Sequence, residues 1–153
     1  MEVPIIELKQ VKKVYDDGPV PFTALDHINA QFYPGEMVVI TGKSGSGKTT
    51  LVNMISGIDH LTSGEVIFQK RAVQNLNENE AALWRGRNLG IVYQFSQLLP
   101  SVSILDNILL PMDFCDLYRR PQSIQRAMQL LQSVELEDHM FKLPSAISGG
   151  QQQ

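Results

Sequence analysis

One run of eight residues, positions 42–49, has the spacing of a phosphate-binding loop, G-x-x-x-x-G-K-[ST]. Its glycines allow the backbone to curl around a phosphate with the N–H groups pointing inward, because no side chain blocks the approach. Lys48 would supply a cation for the β- and γ-phosphates, and Thr49 a hydroxyl for Mg²⁺. The residues expected to contact such a ligand are Gly42, Lys43, Ser44, Gly45, Ser46, Gly47, Lys48, Thr49 and Thr50.

The residues on both sides of this loop favour regular structure. Residues 37–40 form a short apolar run that predicts a buried strand, and apolar residues at positions 51–55 have helical spacing. A helix that begins here would add the partial positive charge of its N-terminus to the anion site. A flexible Gly/Ser linker with a chance lysine is the alternative, but a linker would not lie between a strand and a helix.

Length and composition predict a soluble globular domain. The chain has 153 residues, of which 43% are hydrophobic and 19% are charged, and its formal net charge is −3. This charge disfavours non-specific nucleic-acid binding, so we expect no nucleic-acid partner. The single cysteine, Cys115, cannot form an internal disulfide and suits a reducing compartment. No apolar run approaches the roughly 20 residues that cross a bilayer, and the N-terminus does not predict a signal peptide.

The residues before the loop predict a small antiparallel sheet. Residues 5–8 and 11–15 mix apolar and polar side chains as strands do, and apolar residues alternate with polar ones at 28–32. Tyr15 ends the second of these segments, and its aromatic face could stack on a purine base. A half-buried strand tyrosine explains this residue equally well, so the pattern alone leaves the role of Tyr15 open.

A second polar residue with a chemical interpretation follows another predicted strand. Residues 89–93 predict a strand that ends on Gln94, and ligands bind at the carboxyl ends of strands in open α/β sheets. Gln94 could there coordinate Mg²⁺ or hold an attacking water. A polar residue that merely ends the strand is the alternative.

Beyond this point the pattern is helical. Ser103 with Asp106, like Asn77 with Glu80 further upstream, has the spacing of a capping box. Pro111 is predicted to kink or end the helix that follows Ser103. Apolar residues at 124, 127, 128 and 131 then predict an amphipathic helix that packs on a core.

The end of the chain has a short glycine-containing segment, Ser148-Gly149-Gly150-Gln151. At the start of a helix, such a segment can approach a phosphate closely, because the glycines add no bulk. Four residues of this kind are, by themselves, often only a turn.

Taken together, these features resemble the ATP-binding subunit of an ATP-binding-cassette (ABC) transporter. The matching order is an aromatic before the core (Tyr15), the phosphate loop or Walker A sequence (42–49), a strand ending in Gln94, a helical insert, and Ile-Ser-Gly-Gly-Gln at 147–151. Within this family, residues 53–59, 62–66 and 107–111 resemble the lipoprotein-release and macrolide-export branch, which also includes antimicrobial-peptide export and sensing systems.

The resemblance implies an α/β fold of the P-loop NTPase type. Residues 1–94 would form an N-terminal antiparallel β subdomain and the P-loop core, residues 95–147 a helical subdomain, and residues 148–153 the start of the signature helix. The last residues of the chain precede the family's acidic magnesium strand, catalytic glutamate and switch histidine. We therefore expect the C-terminal core strands to be missing, apolar sheet edges to be unpaired, and ATP hydrolysis by this chain alone to be negligible.

The resemblance also implies ligands and partners. ATP would be held with Mg²⁺, the base against Tyr15 and the metal by Thr49 and Gln94. A second ATP-binding subunit would pair head to tail, so that Ser148, Gly149, Gly150 and Gln151 contact the partner's ATP. The helical subdomain would contact a membrane permease, which places the subunit at the cytoplasmic face of the plasma membrane.

Departures from the family pattern within the chain are small, and two other functions are alternatives to it. Lys43 stands where proline is common, Thr49 where serine is, and Ile147 where leucine is. A non-catalytic nucleotide-binding or interaction module is the alternative function. A P-loop kinase or GTPase is disfavoured, because it would leave the segment at 148–151 without a role.

Overall fold

The computed structural model describes residues 3–16 and 18–153, and these form two compact units, Met1–Ala82 and Leu83–Gln153. The first unit has an antiparallel sheet and one helix after the phosphate loop. The second unit is helical. The subdomain boundary expected after residue 94 stays a prediction, because compactness alone does not define the family's subdomains.

The sheet of the first unit has four antiparallel strands in the order β2-β1-β3-β4. Its strands are β1 (Ile6–Tyr15), β2 (Phe22–Phe32), β3 (Ser63–Phe68) and β4 (Arg71–Ala72). Leu8, Val11, Leu25 and Val66 of the three long strands are buried, whereas Phe22 at the start of β2 is exposed. The predicted antiparallel sheet is therefore confirmed.

The helix after the loop is α1 (Lys48–Ser56), which buries Met54 and Ser56. It ends at Gly57 in a left-handed conformation, with φ 62°, and the Gly57 N–H donates to the carbonyl oxygens of Asn53 and Met54. A glycine adopts this conformation without a Cβ penalty, which is why glycine is favoured at the end of this helix.

Two predicted strands, at residues 37–40 and 89–93, are wrong: neither segment is part of a sheet. Their apolar side chains are open to solvent, with Met37 94%, Val39 75% and Val92 81% exposed. Among the described residues no neighbouring strand offers these segments a backbone ladder. Strand propensity describes how well a residue fits a half-buried pleated surface, so without a neighbouring strand it does not produce one.

The helices are α2 (Glu78–Asn88), which crosses the unit boundary, and α3 (Ile104–Phe114), α4 (Gln122–Ser133) and α5 (Gly149–Gln152). The predicted capping box at Asn77 is confirmed, since Asn77 and Glu80 exchange two hydrogen bonds of 3.0 Å. At Ser103 only half of the predicted box forms: the Asp106 N–H donates to Ser103 Oγ at 3.1 Å, whereas the Asp106 carboxylate accepts from the Ser103 hydroxyl and not from its backbone N–H. Pro111 does not end α3, which continues to Phe114.

The core of the second unit is built from residues of α3, α4 and the segments that follow them. Its buried members are Ile104, Leu131, Leu136 and Ile147. Of the amphipathic stripe predicted for α4, Ala127 and Leu131 are buried, as expected, whereas Met128 is 44% exposed. No helix in the described part of the chain is both long enough and apolar enough to cross a membrane.

Candidate functional site

The phosphate loop lies against strand β2 at Gly47. This residue precedes α1 and has φ 86°, in the left-handed region. A Cβ placed there would lie 2.6 Å from the carbonyl oxygen of Ala24 and 3.1 Å from Leu25 Cδ2. A side chain at position 47 would therefore be strained by the backbone conformation and would collide with β2 unless the backbone shifts.

The amino group of Lys48 is bound to the loop that precedes it. Its Nζ donates to the carbonyl oxygen of Gly42 at 2.9 Å and to that of Lys43 at 2.7 Å. On the same loop, a Cβ at Gly42 would lie only 2.6 Å from Ser46 Oγ. The loop is thus a tight ring around a fixed positive charge, and its residues 42–46 are exposed to solvent. An anion can reach this charge from solution.

The N-terminus of α1 adds backbone donors to the same place. The cap residue Gly47 contributes no side-chain hydrogen bond, and no acidic residue occupies the first turn. The first helical hydrogen bond is from the Leu51 N–H to the carbonyl oxygen of Gly47, at 2.8 Å. The N–H groups of the first turn therefore have no acceptor within the helix, a geometry that favours a phosphate. Thr49 is exposed on this turn and Thr50 is half-buried.

Tyr15 lies at the end of β1 that is near the loop. It pairs with Phe22, while Lys13, two residues back, pairs with Leu25, whose side chain is next to Gly47. Two strand residues span roughly 7 Å. The sheet therefore places Tyr15 close to the phosphate loop. Its ring is half-buried, as a strand tyrosine would be.

Two residues that contact Tyr15, Lys13 and Asp59, are not predicted from the sequence. The Tyr15 hydroxyl donates to Asp59 Oδ2 at 3.0 Å, and Lys13 Nζ donates to Asp59 Oδ1 at 2.7 Å. Lys13 Nζ also lies 4.7 Å from the centroid of the Tyr15 ring. The one sequence signal was the spacing of Lys13 and Tyr15, since residues i and i+2 of a strand share a face. We call Lys13, Tyr15 and Asp59 the tyrosine cluster.

The pKa of Asp59 is lowered in this cluster. Burial alone would raise its pKa, but hydrogen bonds from Lys13, Tyr15 and the backbone N–H of His60 outweigh this effect. Asp59 is therefore a carboxylate at neutral pH, with charge-assisted bonds to its partners.

Gln94 lies in a bend of the second unit, exposed to solvent, and not at the end of a strand. Its expected position is therefore wrong, because residues 89–93 have no partner strand. In the described ranges, no group of three or more His, Cys, Asp or Glu side chains could hold a metal ion. The roles of Thr49 and Gln94 toward Mg²⁺ stay predictions.

The segment at 148–151 begins α5 with a capping box. The Gln151 N–H donates to Ser148 Oγ at 3.3 Å, and the Ser148 N–H donates to Gln151 Oε1 at 2.9 Å. A Cβ added at Gly149 or at Gly150 would have no atom within 4 Å. Gln152 anchors the segment, because its Nε2 donates to the carbonyl oxygen of Pro144 at 2.9 Å. These four residues thus form one exposed and locally ordered surface.

Comparison with known proteins identifies the family of this chain. A sequence model described as "ABC transporter" matches residues 25–153. A lipoprotein-releasing system ATP-binding protein, LolD, of Saccharophagus degradans is 37% identical over 153 residues, which cover 100% of this chain and 67% of LolD. The macrolide export ATP-binding/permease protein MacB of Pasteurella multocida is 39% identical over 153 residues, which cover 23% of that protein.

A solved structure supports the same assignment. The dimeric ATP-binding cassette MJ0796, described as a post-hydrolysis state bound to ADP and Pi, matches with a TM-score of 0.86 at 36% identity. The match covers 96% of this chain and 65% of that one. This chain spans about 60% to 67% of the length of the separate ATP-binding relatives that it matches. The α/β cassette fold expected from the sequence is confirmed, and the chain belongs to the ABC transporter family as an ATP-binding domain.

Proposed function

We propose that this chain binds ATP with Mg²⁺ and provides nucleotide binding for an ABC transporter of the lipoprotein-release or macrolide-export type. The observation that supports this most directly is the Lys48 ammonium, held by the carbonyl oxygens of Gly42 and Lys43 at the N-terminus of α1. Backbone N–H groups, a helix N-terminus and a fixed cation together select a polyphosphate.

Within this proposal each residue of the loop has a role that its position allows. The N–H groups of the loop and of the first turn of α1 bind the phosphate oxygens, and Lys48 neutralises charge on the β- and γ-phosphates. The exposed hydroxyl of Thr49 serves the Mg²⁺ ion, which would neutralise charge between the phosphates when bound. Tyr15 provides an aromatic face for the base, and Gln94 orients water or metal.

A second ATP-binding subunit and a membrane permease are the proposed partners. The solved relative MJ0796 is described as dimeric. In this chain, Ser148, Gly149, Gly150 and Gln151 present an exposed surface without side-chain bulk at the glycines. We infer that this surface contacts the ATP of the partner in a head-to-tail dimer. Attachment to a permease would then place the chain at the cytoplasmic face of the membrane.

A mixing experiment tests both the ATP site and its completion by the partner. Lys48→Ala removes the charge of the loop, and Ser148→Arg puts bulk on the signature surface. Each variant alone should fail to form an ATP-dependent dimer in light scattering. Mixed, the two should form dimers, because the loop of the Ser148→Arg chain and the signature of the Lys48→Ala chain make one intact site. If the mixture stays monomeric while wild type dimerises, the head-to-tail arrangement is wrong.

A further inference from the structure

We propose that Asp59 is a positioning residue, which holds the ring of Tyr15 as a fixed stacking surface for the base of the nucleotide, with Lys13 as a second tether. The inference rests on the proposed function, since it assumes that a nucleotide binds at the phosphate loop. It adds a role for Asp59 and Lys13, which lie outside the loop and the signature segment.

Both oxygens of the Asp59 carboxylate are occupied, each by a different partner. Oδ1 accepts from Lys13 Nζ at 2.7 Å and from the His60 N–H at 2.7 Å. Oδ2 accepts from the Tyr15 hydroxyl at 3.0 Å. The carboxylate cannot rotate without breaking one of these bonds, so the Tyr15 hydroxyl has a fixed acceptor.

Lys13 is largely buried and makes further contacts that hold Asp59 and Tyr15 in place. Only 12% of its side chain is exposed, and its Nζ also donates to the carbonyl oxygen of His60 at 2.7 Å. The same ammonium lies 4.7 Å from the centroid of the Tyr15 ring, within the range of a cation–π contact. The ring is therefore restrained at three places: the strand backbone, the hydroxyl and one side of the aromatic system.

A restrained ring is better suited to stacking than a mobile one. A side chain that must be immobilised on binding lowers the affinity for the ligand by roughly two- to tenfold, and a ring that is already fixed avoids this loss. A base has a π-face whatever its hydrogen-bonding pattern, so the fixed ring would contribute affinity for the base rather than for the phosphates.

The position of Asp59 along the chain links this ring to the phosphate loop. Gly57 ends α1, and Asp59 follows two residues later. The other end of α1 begins at the phosphate loop. One short helix thus connects the loop to the residue that holds Tyr15, which fixes where the base surface lies relative to the phosphate site.

The test compares two ligands on the 153-residue chain: Mg–ATP, and inorganic tripolyphosphate with Mg²⁺, which lacks a base. Tyr15→Ala should weaken ATP binding about tenfold, the scale of one base–aromatic stack, and leave tripolyphosphate binding within about twofold. Asp59→Ala should weaken ATP binding about three- to tenfold, again with little change for tripolyphosphate. Asp16→Ala, at an exposed aspartate next to Tyr15, is the matched control and should bind both ligands as wild type does.

A double variant separates a positioning role from a merely structural one. If Asp59 acts through Tyr15, then Asp59→Ala should add no further loss of ATP affinity in the Tyr15→Ala background. Tyr15→Phe, which keeps the ring and removes only the hydroxyl, should show part of the loss and provides the test if Asp59→Ala does not fold.

Several results would overturn the proposal. Equal losses for ATP and tripolyphosphate would show that Asp59 only supports the fold, as would additive losses in the double variant. Wild-type ATP affinity in both Asp59→Ala and Tyr15→Phe would remove the positioning role but leave the proposed function intact. A wild-type chain that binds neither ligand would contradict the proposed function itself, and the positioning role with it.

Discussion

The Nζ atom of Lys48 lies 2.7 Å from the carbonyl oxygen of Lys43, five residues earlier in the same loop. A second bond, to the carbonyl oxygen of Gly42, closes the ring. The cation of the site is therefore held by the backbone before any phosphate arrives. Pre-positioning of this kind lowers the ordering cost of binding and directs the charge toward the loop centre.

The contact between Gly47 and strand β2 predicts a sensitive position. Gly47→Ala should destabilise the chain by about 1–3 kcal/mol, because the residue has φ 86° and the new Cβ would meet the Ala24 carbonyl oxygen at 2.6 Å. Urea unfolding, followed by circular dichroism, measures the change. Gly90→Ala is the control, since a Cβ at Gly90 meets no atom within 4 Å. Equal midpoints for the two variants would contradict the described contact.

The side chain of Asn107 in α3, like that of Asp59, has several hydrogen-bond partners. Its Oδ1 accepts from the Leu99 N–H at 2.7 Å, and its Nδ2 lies near three carbonyl oxygens, those of Leu99, Val102 and Ser103. Asn107→Ala removes these side-chain bonds, although the Ser103 carbonyl oxygen keeps its bond from the N–H of residue 107. The variant should therefore lose about 1–3 kcal/mol of unfolding free energy.

Chemical denaturation of Asn107→Ala beside Gln97→Ala checks this prediction. Gln97 is exposed and has one long contact of 3.5 Å, so its variant should stay within about 0.5 kcal/mol of wild type. If Asn107→Ala has the unfolding free energy of wild type, water replaces these bonds without loss of stability, and the prediction is wrong.

The tyrosine cluster predicts a pH dependence of stability with a definite sign. The folded-state pKa of Asp59 is lowered below 3.8, so its bonds to Lys13 and Tyr15 contribute stability above that pH. The contribution is lost as the pH falls through the lowered pKa. The difference in urea midpoint between wild type and Asp59→Asn should thus be constant from pH 7 to about pH 5 and shrink below pH 3.8.

Asp16→Asn, an exposed aspartate outside the cluster, is the control for this pH series. Its midpoint should follow that of wild type across the whole range. A difference for Asp59→Asn that grows in acid would have the opposite sign and would contradict the lowered pKa.

The two apolar segments without strand partners predict a tendency to self-associate. Val39 is 75% exposed and Val92 is 81% exposed. The double variant Val39→Lys/Val92→Lys should reduce association in light scattering and change the melting temperature by no more than about 2 °C, since neither residue is buried. Val66→Lys is the contrast, because Val66 is 1% exposed and a charge there should unfold the chain.

A lowered melting temperature in the Val39→Lys/Val92→Lys variant, by about 5 °C or more, would show that these segments are buried in solution. Unchanged association would show that another surface is responsible.

Sequence patterns predicted the structure where it depends on contacts between residues close together in the chain. The capping box at Asn77 and the N-cap bond to Ser103 Oγ involve residues three positions apart, and both form. The strands of the first unit also formed, because β1 has β2 on one side and β3 on the other. Residues 37–40 have the same kind of apolar composition but no such neighbours, so their expected strand is absent.

Long-range contacts explain what the sequence could not show about the site. Asp59 is 44 residues from Tyr15, and no spacing rule relates them. The loop glycines were recognisable from their pattern, whereas the contact of Gly47 with Ala24 depends on how β2 packs. The motif therefore located the phosphate site, and the tertiary structure was needed to find what holds Tyr15 beside it.

Equilibrium binding of Mg–ATP to the 153-residue chain, measured by calorimetry for wild type and Lys48→Ala, tests whether this loop is the nucleotide site. We expect wild type to bind one ATP per chain saturably, and Lys48→Ala to lose at least about tenfold in affinity because the Lys48 charge is removed. Lys142→Ala, which removes an exposed charge in the other unit, should bind like wild type. Absence of binding by wild type, or equal affinity in Lys48→Ala, would contradict the assignment of this loop as the nucleotide site.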